Sequence, residues 1–538
     1  MKGALSAAFG AVALLASSVL AQTELDPIVI KGSKFFFKTN GTQFYMRGVA
    51  YQQEVGTNGT IGDDDSSDYS DPLADPAGCR RDIPLLQELR TNIIRVYAID
   101  PEQDHSECMG MLADAGIYLI ADLSQPKESI NRDDPSWDDD LYTRYTSVVD
   151  SLANYTNVLG FFAGNEVPNQ PNNTASSAFV KAAVRDTKAY IRQQGYREMG
   201  VGYATNDDAE IRENLADYFN CGTEDDSIDF WGYNIYSWCG DSSFSGSGYE
   251  DRTDEFESYS VPVFFAEYGC NEVQPREFTD VPVLYGPQMN DVWSGGIIYM
   301  YFQEENDFGL VRVDGDDVEK LDDFDNLSSQ LADIDPTGVN MDDYNPTNTQ
   351  LAACPTVDSD WGAASSPLPP QPNPELCQCM MRSLSCTVDS SVDEEDYGDL
   401  FGFVCGANED YCAGIAHNGT TAEYGAYSMC NATEQLAFVF NQYASDQGGN
   451  SDACSFDGAG ATQDAEDPSG TCEELMDQAG AAGTGTVTSA PTNGGSAPGA
   501  TSSGASSALT IPTFNAGFLY IALYAFGAVF VGAGMIFL

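Results

Sequence analysis

Positive charge is the scarcest ingredient of this chain: 23 Lys and Arg stand against 83 Asp and Glu, a formal charge of −60 at pH 7 over 538 residues. Such a balance repels nucleic acid and anionic lipid headgroups, so no nucleic-acid partner is expected, and it suits an uncharged ligand or an acidic milieu. Histidine is scarcer still, with only His105 and His417. A histidine-based zinc centre or a Ser-His-Asp triad therefore has little material, and neither metal nor cofactor is expected.

What is present starts with the two ends. Lys2 precedes an apolar segment, Ala4 to Leu20, that closes on Val19-Leu20-Ala21 before Gln22, which reads as a secretory signal peptide over 1–21. Residues 473–507 are dominated by Gly, Ala, Ser, Thr and Pro and are expected to be a flexible, O-glycosylated stalk. The uncharged run Ala516 to Leu538 lacks the basic flank of a spanning helix. Small residues at Ser502 to Ser506, a spacer and an apolar tail match a GPI-attachment signal over 508–538, whose tail is removed. The expected protein is a monomer held on the outer face of the plasma membrane by that anchor. Fourteen cysteines behind a signal peptide read as disulfides rather than thiols or metal ligands. Sequons at Asn40, Asn58, Asn154, Asn172, Asn326, Asn418 and Asn431 mark candidate surface glycans.

Between the ends, residues 22–354 alternate short apolar runs with amphipathic stretches. Strands are expected at Gln43–Tyr51, Asn92–Ile99, Gly116–Leu123, Val158–Ala163, Met199–Ala204, Ile228–Tyr236, Val261–Ala266 and Gly296–Phe302. Helices are expected at Asp82–Leu89, Ser106–Ala115, Leu141–Asn154, Ser176–Gln194 and Asp208–Asn214. Eight strands with intervening helices predict an α/β fold, a (β/α)8 TIM barrel. Pro/Ser-rich 355–375 reads as a short linker, and 376–472 as a small disulfide-rich α+β module holding eight cysteines. Mobility is the default for such a linker, but the module is expected to pack against the barrel and support it or bind glucan, without contributing catalytic residues.

Two strands end in the same way. Val158 to Pro168 (VLGFFAGNEVP) is an apolar run that stops at Gly164-Asn165-Glu166, and Val261 to Cys270 (VPVFFAEYGC) stops at Glu267. Counted along the barrel they close strands four and seven, at the edge where α/β enzymes place their chemistry. A pair of carboxylates is the minimum for glycosidic-bond cleavage, one protonating the leaving oxygen and one attacking the anomeric carbon. Glu166 suits the acid/base, with Asn165 placed to hold a sugar hydroxyl, and Glu267 suits the nucleophile. Retention of configuration requires their carboxyls to lie about 5–5.5 Å apart.

These segments, together with Gly48-Val-Ala-Tyr-Gln52, Asn92-Ile-Ile-Arg-Val-Tyr97, Trp231 to Cys239 and Gly295-Gly-Ile-Ile-Tyr299, resemble the fungal GPI-anchored β-1,3-glucanosyltransferases, family 72 of the glycoside hydrolases. The cysteine-rich unit is similar to the family 43 carbohydrate-binding module of one subgroup. The resemblance implies Glu166 as acid/base and Glu267 as nucleophile, with Asn165, Tyr97, Gln52 and Asp122 on the donor side and Tyr236 and Tyr299 near the nucleophile. It implies acceptor contacts at Asn206, Asp207 and Arg212. Spacing leaves many connectivities open for six cysteines in the first unit and eight in the second. The resemblance implies Cys79–Cys108, Cys221–Cys354 and Cys239–Cys270, then Cys377–Cys430, Cys379–Cys472, Cys386–Cys454 and Cys405–Cys412. The unusually acidic stretch Asp63 to Asp75 has no counterpart in those motifs. The expected activity is transfer of a cleaved β-1,3-glucan onto a second glucan. A retaining endo-β-1,3-glucanase uses the same carboxylates, and a non-catalytic wall-glucan-binding protein is the third reading.

Overall fold

Branched and aromatic residues in short runs, each the length of a strand buried on both faces, close into a parallel barrel. In chain order the strands are β1 (Met46–Ala50), β2 (Ile93–Val96), β3 (Tyr118–Asp122), β4 (Val158–Asn165), β5 (Gly200–Thr205), β6 (Trp231–Ile235), β7 (Val263–Tyr268) and β8 (Trp293–Ile298). A helix follows each: Pro76–Glu88, Ser106–Ala115, Asp139–Leu152, Ser177–Gln193, Arg212–Phe219, Tyr249–Phe256, Val281–Leu284 and Asp322–Ala332. This is the expected (β/α)8 barrel. The computed structural model describes residues 24–53, 70–126 and 128–489. The signal peptide, the Asn58 sequon, most of the acidic stretch 63–75, the greater part of the stalk and the anchor signal lie outside them. No helix among the described residues is long and apolar enough to cross a membrane.

Two apolar layers hold the barrel. Residues on the outer face of the strands, such as Leu119, Ala121 and Phe161, pack under the helices. Those pointing inward, such as Ile120, Phe162 and Ala266, fill the lumen with Phe35, Phe230 and Phe264. Phe35 comes from an amino-terminal hairpin, Ile28–Lys31 with Lys34–Phe37, and its ring centroid lies 6.2 Å from that of Phe230 and 6.1 Å from that of Phe264. Phe162 stacks edge-on to Phe230 at 5.4 Å. The lumen is thus a packed floor of aromatic rings, closed from below and open only at the carboxyl ends of the strands.

Boundaries moved where tertiary contacts override local signals. The last strand was expected over Gly296–Phe302 but spans Trp293–Ile298, with Gly295 and Gly296 inside it. Closing the barrel brings the carbonyl oxygen of Met46 within 2.2 Å of where a Gly295 Cβ would stand, so glycine marks close approach rather than a strand end. The first helix starts at Pro76 rather than Asp82, because Asp75 caps Ala77 N–H and proline occupies the first position. The helix expected at Asp208–Asn214 starts at Arg212, after a turn in which the Asp208 carboxylate accepts from Glu210 N–H.

The cysteine-rich unit builds its own core around helices Pro374–Ser383, Tyr397–Ala407 and Ala432–Asp446. Seven disulfides join Cys79–Cys108, Cys221–Cys354, Cys239–Cys270, Cys377–Cys430, Cys379–Cys472, Cys386–Cys454 and Cys405–Cys412. The unit does not stop at Cys472. Helix Thr471–Ala479 crosses that boundary and buries Leu475 and Ala479 in the module core, a face too short to show as periodicity. Beyond this helix the N–H groups of Thr488 and Ser489 donate to the Gln478 side chain.

Residues 355–375 are strapped to the barrel, in keeping with the docking expected of a short linker and against the mobility that is the default for a Pro/Ser-rich one. Trp361 is buried against Tyr218, Gly362 N–H donates to Thr174 Oγ1 (2.7 Å), and Arg185 donates to the Pro369 carbonyl (2.9 Å). One buried indole outweighs the flexibility that the composition suggests. The module also touches the barrel directly: Asp139 N–H donates to the Met429 carbonyl (2.9 Å), and the Phe179 and Tyr424 rings meet at 6.0 Å.

That seam contains a buried carboxyl with no counter-charge. Asp139 is 8% exposed, and its Oδ1 has no hydrogen-bond partner among the described residues. Burial first, then the charges of Glu434, Asp140 and Asp138, push its carboxyl up to about 8. An unfolded Asp ionises near about 4, so between those values the native state keeps a proton that the unfolded chain has given up. The contribution to stability is full below about pH 4 and is lost as pH rises through about 8, at up to about 1.4 kcal/mol per pH unit. Asp139→Asn removes the titration. The unfolding free energy measured in urea should then vary less steeply with pH between about 5 and about 8, and an unchanged slope would mean that this carboxyl is not held neutral.

Candidate active site

The open end of the barrel collects the polar residues that the strands carry at their last positions. Arg95, on β2, is fully buried in the lumen with its guanidinium carbon 4.5 Å from the centroid of the Phe162 ring and 4.3 Å from that of Tyr97. It donates twice to Asp122 (2.9 and 2.9 Å), once to Glu267 Oε1 (3.2 Å) and once to Asn165 Oδ1 (3.0 Å). Burial alone would lower its pKa. Asp122, Tyr97 and Glu267 together hold it above the ordinary value.

Glu267 is 9% exposed at the end of β7. Besides Arg95, it accepts from Tyr97 OH (2.9 Å, at Oε1) and Tyr236 OH (2.8 Å, at Oε2). Burial pushes its carboxyl up to about 7, with the Glu166 charge adding to the rise; Arg95 and the two phenols pull it back. Glu166, half-buried at the end of β4, sits in the left-handed region at φ 50°. That conformation costs a non-glycine residue about 1 kcal/mol or more and persists only where neighbours over-determine it. Here Glu166 N–H donates to the Ala204 carbonyl (2.9 Å) and Arg132 donates to the Glu166 carbonyl (2.8 Å). Asn234, on β6, donates to Glu166 Oε1 (2.8 Å) and to Asn165 Oδ1 (3.0 Å). A continuous hydrogen-bonded chain therefore runs Glu166–Asn234–Asn165–Arg95–Glu267.

Other expected site residues take different positions. Tyr97 and Tyr236 each meet Tyr299 edge to face, with ring centroids 6.4 and 6.5 Å apart, and Phe308 joins them at 5.3 Å from Tyr299. Gln52 lies behind this wall. Its amide oxygen accepts from the backbone N–H groups of Tyr97 and Ala98, and its amide nitrogen donates to the Ser70 carbonyl (2.8 Å), so it holds Tyr97 in place. Asp122 is likewise committed to Arg95. After β5, Asp207 Oδ1 accepts from Arg212 (2.7 Å) and Tyr233 OH (2.6 Å), and Asn206 Nδ2 donates weakly to the Asn169 carbonyl (3.4 Å). Asn206 Oδ1 is buried without a partner among the described residues. Asn40, Asn154, Asn172 and Asn418 are exposed, while Asn326 and Asn431 are half-buried. The two cysteine–glutamate groups with metal-like spacing, at Cys239/Cys270/Glu272 and Cys377/Cys430/Glu434, contain disulfides and offer no thiolate.

Arg95, Asn234 and Phe308 were absent from the expected site. For the first two a signal existed: a strand's period of two puts Arg95 on the face of Tyr97, and Asn234 on the face of Tyr236. Phe308 lies in a loop, where no periodicity speaks for it.

Residues 17–335 match the family model for Glucanosyltransferase, and residues 384–461 match the X8 domain. A 1,3-beta-glucanosyltransferase of Arthroderma benhamiae is 59% identical, the match covering 98% of each chain. The 1,3-beta-glucanosyltransferase GAS2 of Saccharomyces cerevisiae is 44% identical over 79% of this chain and 78% of its own. The solved structure of Saccharomyces cerevisiae Gas2p in complex with laminaripentaose is similar at TM-score 0.75 and 43% identity, over 82% of this chain and 98% of that one.

The geometry sets the cost of removing the central cation. Arg95→Met leaves Asp122 and Glu267 as buried carboxylates without their counter-charge, which should cost roughly 3–5 kcal/mol. A lowered urea midpoint would report it. Adding Asp122→Asn should recover part of the loss, whereas strictly additive losses would show that the pair is not coupled.

Proposed function

This chain belongs to the glucanosyltransferase family, and from that premise we propose that Glu166 and Glu267 run its reaction by double displacement. The protein is a 1,3-β-glucanosyltransferase, cleaving an internal β-1,3 linkage and transferring the new reducing end to the non-reducing end of another β-1,3-glucan. The observation that carries the assignment of roles is the hydrogen-bonded chain joining the two glutamates across the open end of the barrel.

Glu267, nearly buried and held by three donors, attacks the anomeric carbon. The bond to the leaving O3 breaks, that oxygen takes the electron pair, and Glu166 supplies its proton. The half-buried position of Glu166 leaves it within reach of both the leaving sugar and the next acceptor. Glu166 then accepts the proton of the acceptor's 3-hydroxyl as that oxygen displaces Glu267. The wall of Tyr97, Tyr236, Tyr299 and Phe308 offers apolar faces to a neutral glucan.

Transfer prevails over hydrolysis only if the acceptor is held in line, since oriented groups reach effective molarities of about 10⁵ M. Asn206, Asp207 and Arg212 are the acceptor contacts in this reading, with Asp207 also holding Arg212 and Tyr233 in place. The strapped module supports the barrel or binds polymer without adding a reacting group. Seven disulfides among the described residues support an oxidising, extracellular setting. The uncharged run at 516–538 supports attachment of a monomer to the outer leaflet through a GPI anchor.

With a defined laminari-oligosaccharide, Glu267→Ala should lose both cleavage and transfer. Asp207→Ala should keep part of donor cleavage while its transfer-to-hydrolysis ratio falls about tenfold, the effect of about 1.4 kcal/mol of lost orientation. Wild-type protein that yields only shorter products at every acceptor concentration would instead be a glucanase.

The pH profile has a definite sign. Glu267 must be ionised to attack, so kcat/KM should rise with pH through about 7. Tyr236→Phe removes a donor that favours the carboxylate, so this acidic limb should move to higher pH. A limb that stays in place would show that it belongs to another group.

A further inference from the structure

We propose that Asn234 decides which oxygen of Glu166 carries the catalytic proton. The inference rests on the reading of Glu166 as acid/base and adds a positioning residue to it. Asn234 is 3% exposed on β6, where its backbone stands opposite Glu267 of β7, while its side chain reaches over β5 to Glu166 just after β4. It therefore touches the surroundings of both carboxylates.

The direction of every hydrogen bond in the chain follows from Arg95. A guanidinium has N–H donors and no acceptor. The Asn165 atom that faces Arg95 Nη2 at 3.0 Å must then be its carbonyl oxygen. The Asn234 atom that faces this same oxygen at 3.0 Å must in turn be the amide nitrogen, since two carbonyl oxygens would repel. That nitrogen lies 2.8 Å from Glu166 Oε1 and offers it an N–H. In a neutral carboxyl the carbonyl oxygen is the better acceptor, so a hydrogen bond from this N–H favours Oε1 as the carbonyl and the proton on Oε2. The polarity is thus relayed from a group that cannot reverse it, through two amides that do not titrate, to the one carboxyl whose proton must be aimed. The same Oε2 receives the acceptor's 3-hydroxyl proton in the second half of the reaction, so both halves use one oxygen.

Without the amide, the proton is free to sit on Oε1, facing away from the leaving oxygen. Only substrates that need the proton would notice. In an oligosaccharide the C1–O3 bond breaks and O3 takes both the electron pair and the Glu166 proton. In β-laminaribiosyl fluoride the C1–F bond breaks and fluoride leaves with the electron pair alone, while the bond to Glu267 forms in both cases.

The full-length enzyme, Asn234→Ala, Asn234→Asp and Glu166→Gln should be compared on laminaripentaose and on β-laminaribiosyl fluoride, following first-turnover release. Asn234→Ala should lose about 10²-fold in kcat on the oligosaccharide, within the range attributed to general acid catalysis, with KM changed by less than about threefold. Fluoride release should fall far less. Asn234→Asp keeps the volume and decides the matter if the alanine variant does not fold. Its carboxylate would draw the Glu166 proton onto Oε1, so its loss on the oligosaccharide should be at least as large, again with fluoride release spared. Equal losses on both donors, or no loss on either, would overturn the proposal. Glu166→Gln separates the two layers. If it still cleaves laminaripentaose, the acid/base assignment itself is wrong. If it fails there but releases fluoride, while the Asn234 variants show no donor dependence, the assignment stands and Asn234 has no part in it.

Discussion

A guanidinium sealed from water has to be surrounded by groups that replace its hydration, and Arg95 organises this protein by that requirement. Below it lies the ring of Phe162, itself seated on Phe230 and Phe264, with Phe35 of the amino-terminal hairpin closing the floor. Around it lie Asp122, Glu267 and Asn165, from three different strands. A buried charge with one partner would be destabilising; one with three acceptors and two aromatic faces is satisfied. The aromatic floor therefore serves catalysis as well as packing, because it sets the height at which the cation meets the carboxylates.

From that centre two carboxylates acquire unequal surroundings. Glu267 is held by the cation and two phenols in a nearly closed site, surroundings that suit the proposed nucleophile because they keep it from water and fix its direction. Glu166 sits at the rim in a strained backbone conformation, its carboxyl reached through Asn234. In the proposed double displacement one group attacks a single atom. The other exchanges a proton with two successive sugars, so it cannot be enclosed. The strain at Glu166 is absorbed by bonds to β5 and to Arg132, which lie outside the reacting atoms.

The remainder of the chain secures this rim. Cys239–Cys270 ties the segments that follow β6 and β7, the strands carrying Asn234 and Glu267. Cys221–Cys354 and the buried Trp361 bind the segment leaving the barrel against its side, and this strap places the module beside the helices that follow β3 and β4. A net charge of −60 is compatible with this arrangement because the ligand is neutral: the acidic surface neither attracts nor repels a glucan, and discrimination falls to hydroxyl partners and ring faces.

Much of this was legible in the residues alone. Eight apolar runs, each of strand length and ending in a polar or glycine-rich turn, fit strands buried on both faces, and the alternating amphipathic stretches supply the cover. Glu166 and Glu267 stood out because a carboxylate directly after such a run has to emerge at the strand's carboxyl end. Both are local consequences of hydrophobic length and chain direction. The ends of the last strand, the contacts that strap residues 355–375 and the continuation of the module past Cys472 were not legible, because each depends on a partner distant in sequence: Met46 across the barrel seam, Tyr218 under Trp361, the module core under Leu475. The same holds for the roles of Gln52 and Asp122, which the family resemblance implies as donor-side ligands and the three-dimensional structure commits to Tyr97 and Arg95. Above all, the sequence determined that two glutamates would share the open end of a barrel, since strand order and period decide which residues lie there. Only the tertiary structure decided how they are joined, because a hydrogen-bonded chain through Arg95, Asn165 and Asn234 exists only when four strands bring their last residues within 3 Å or so of one another.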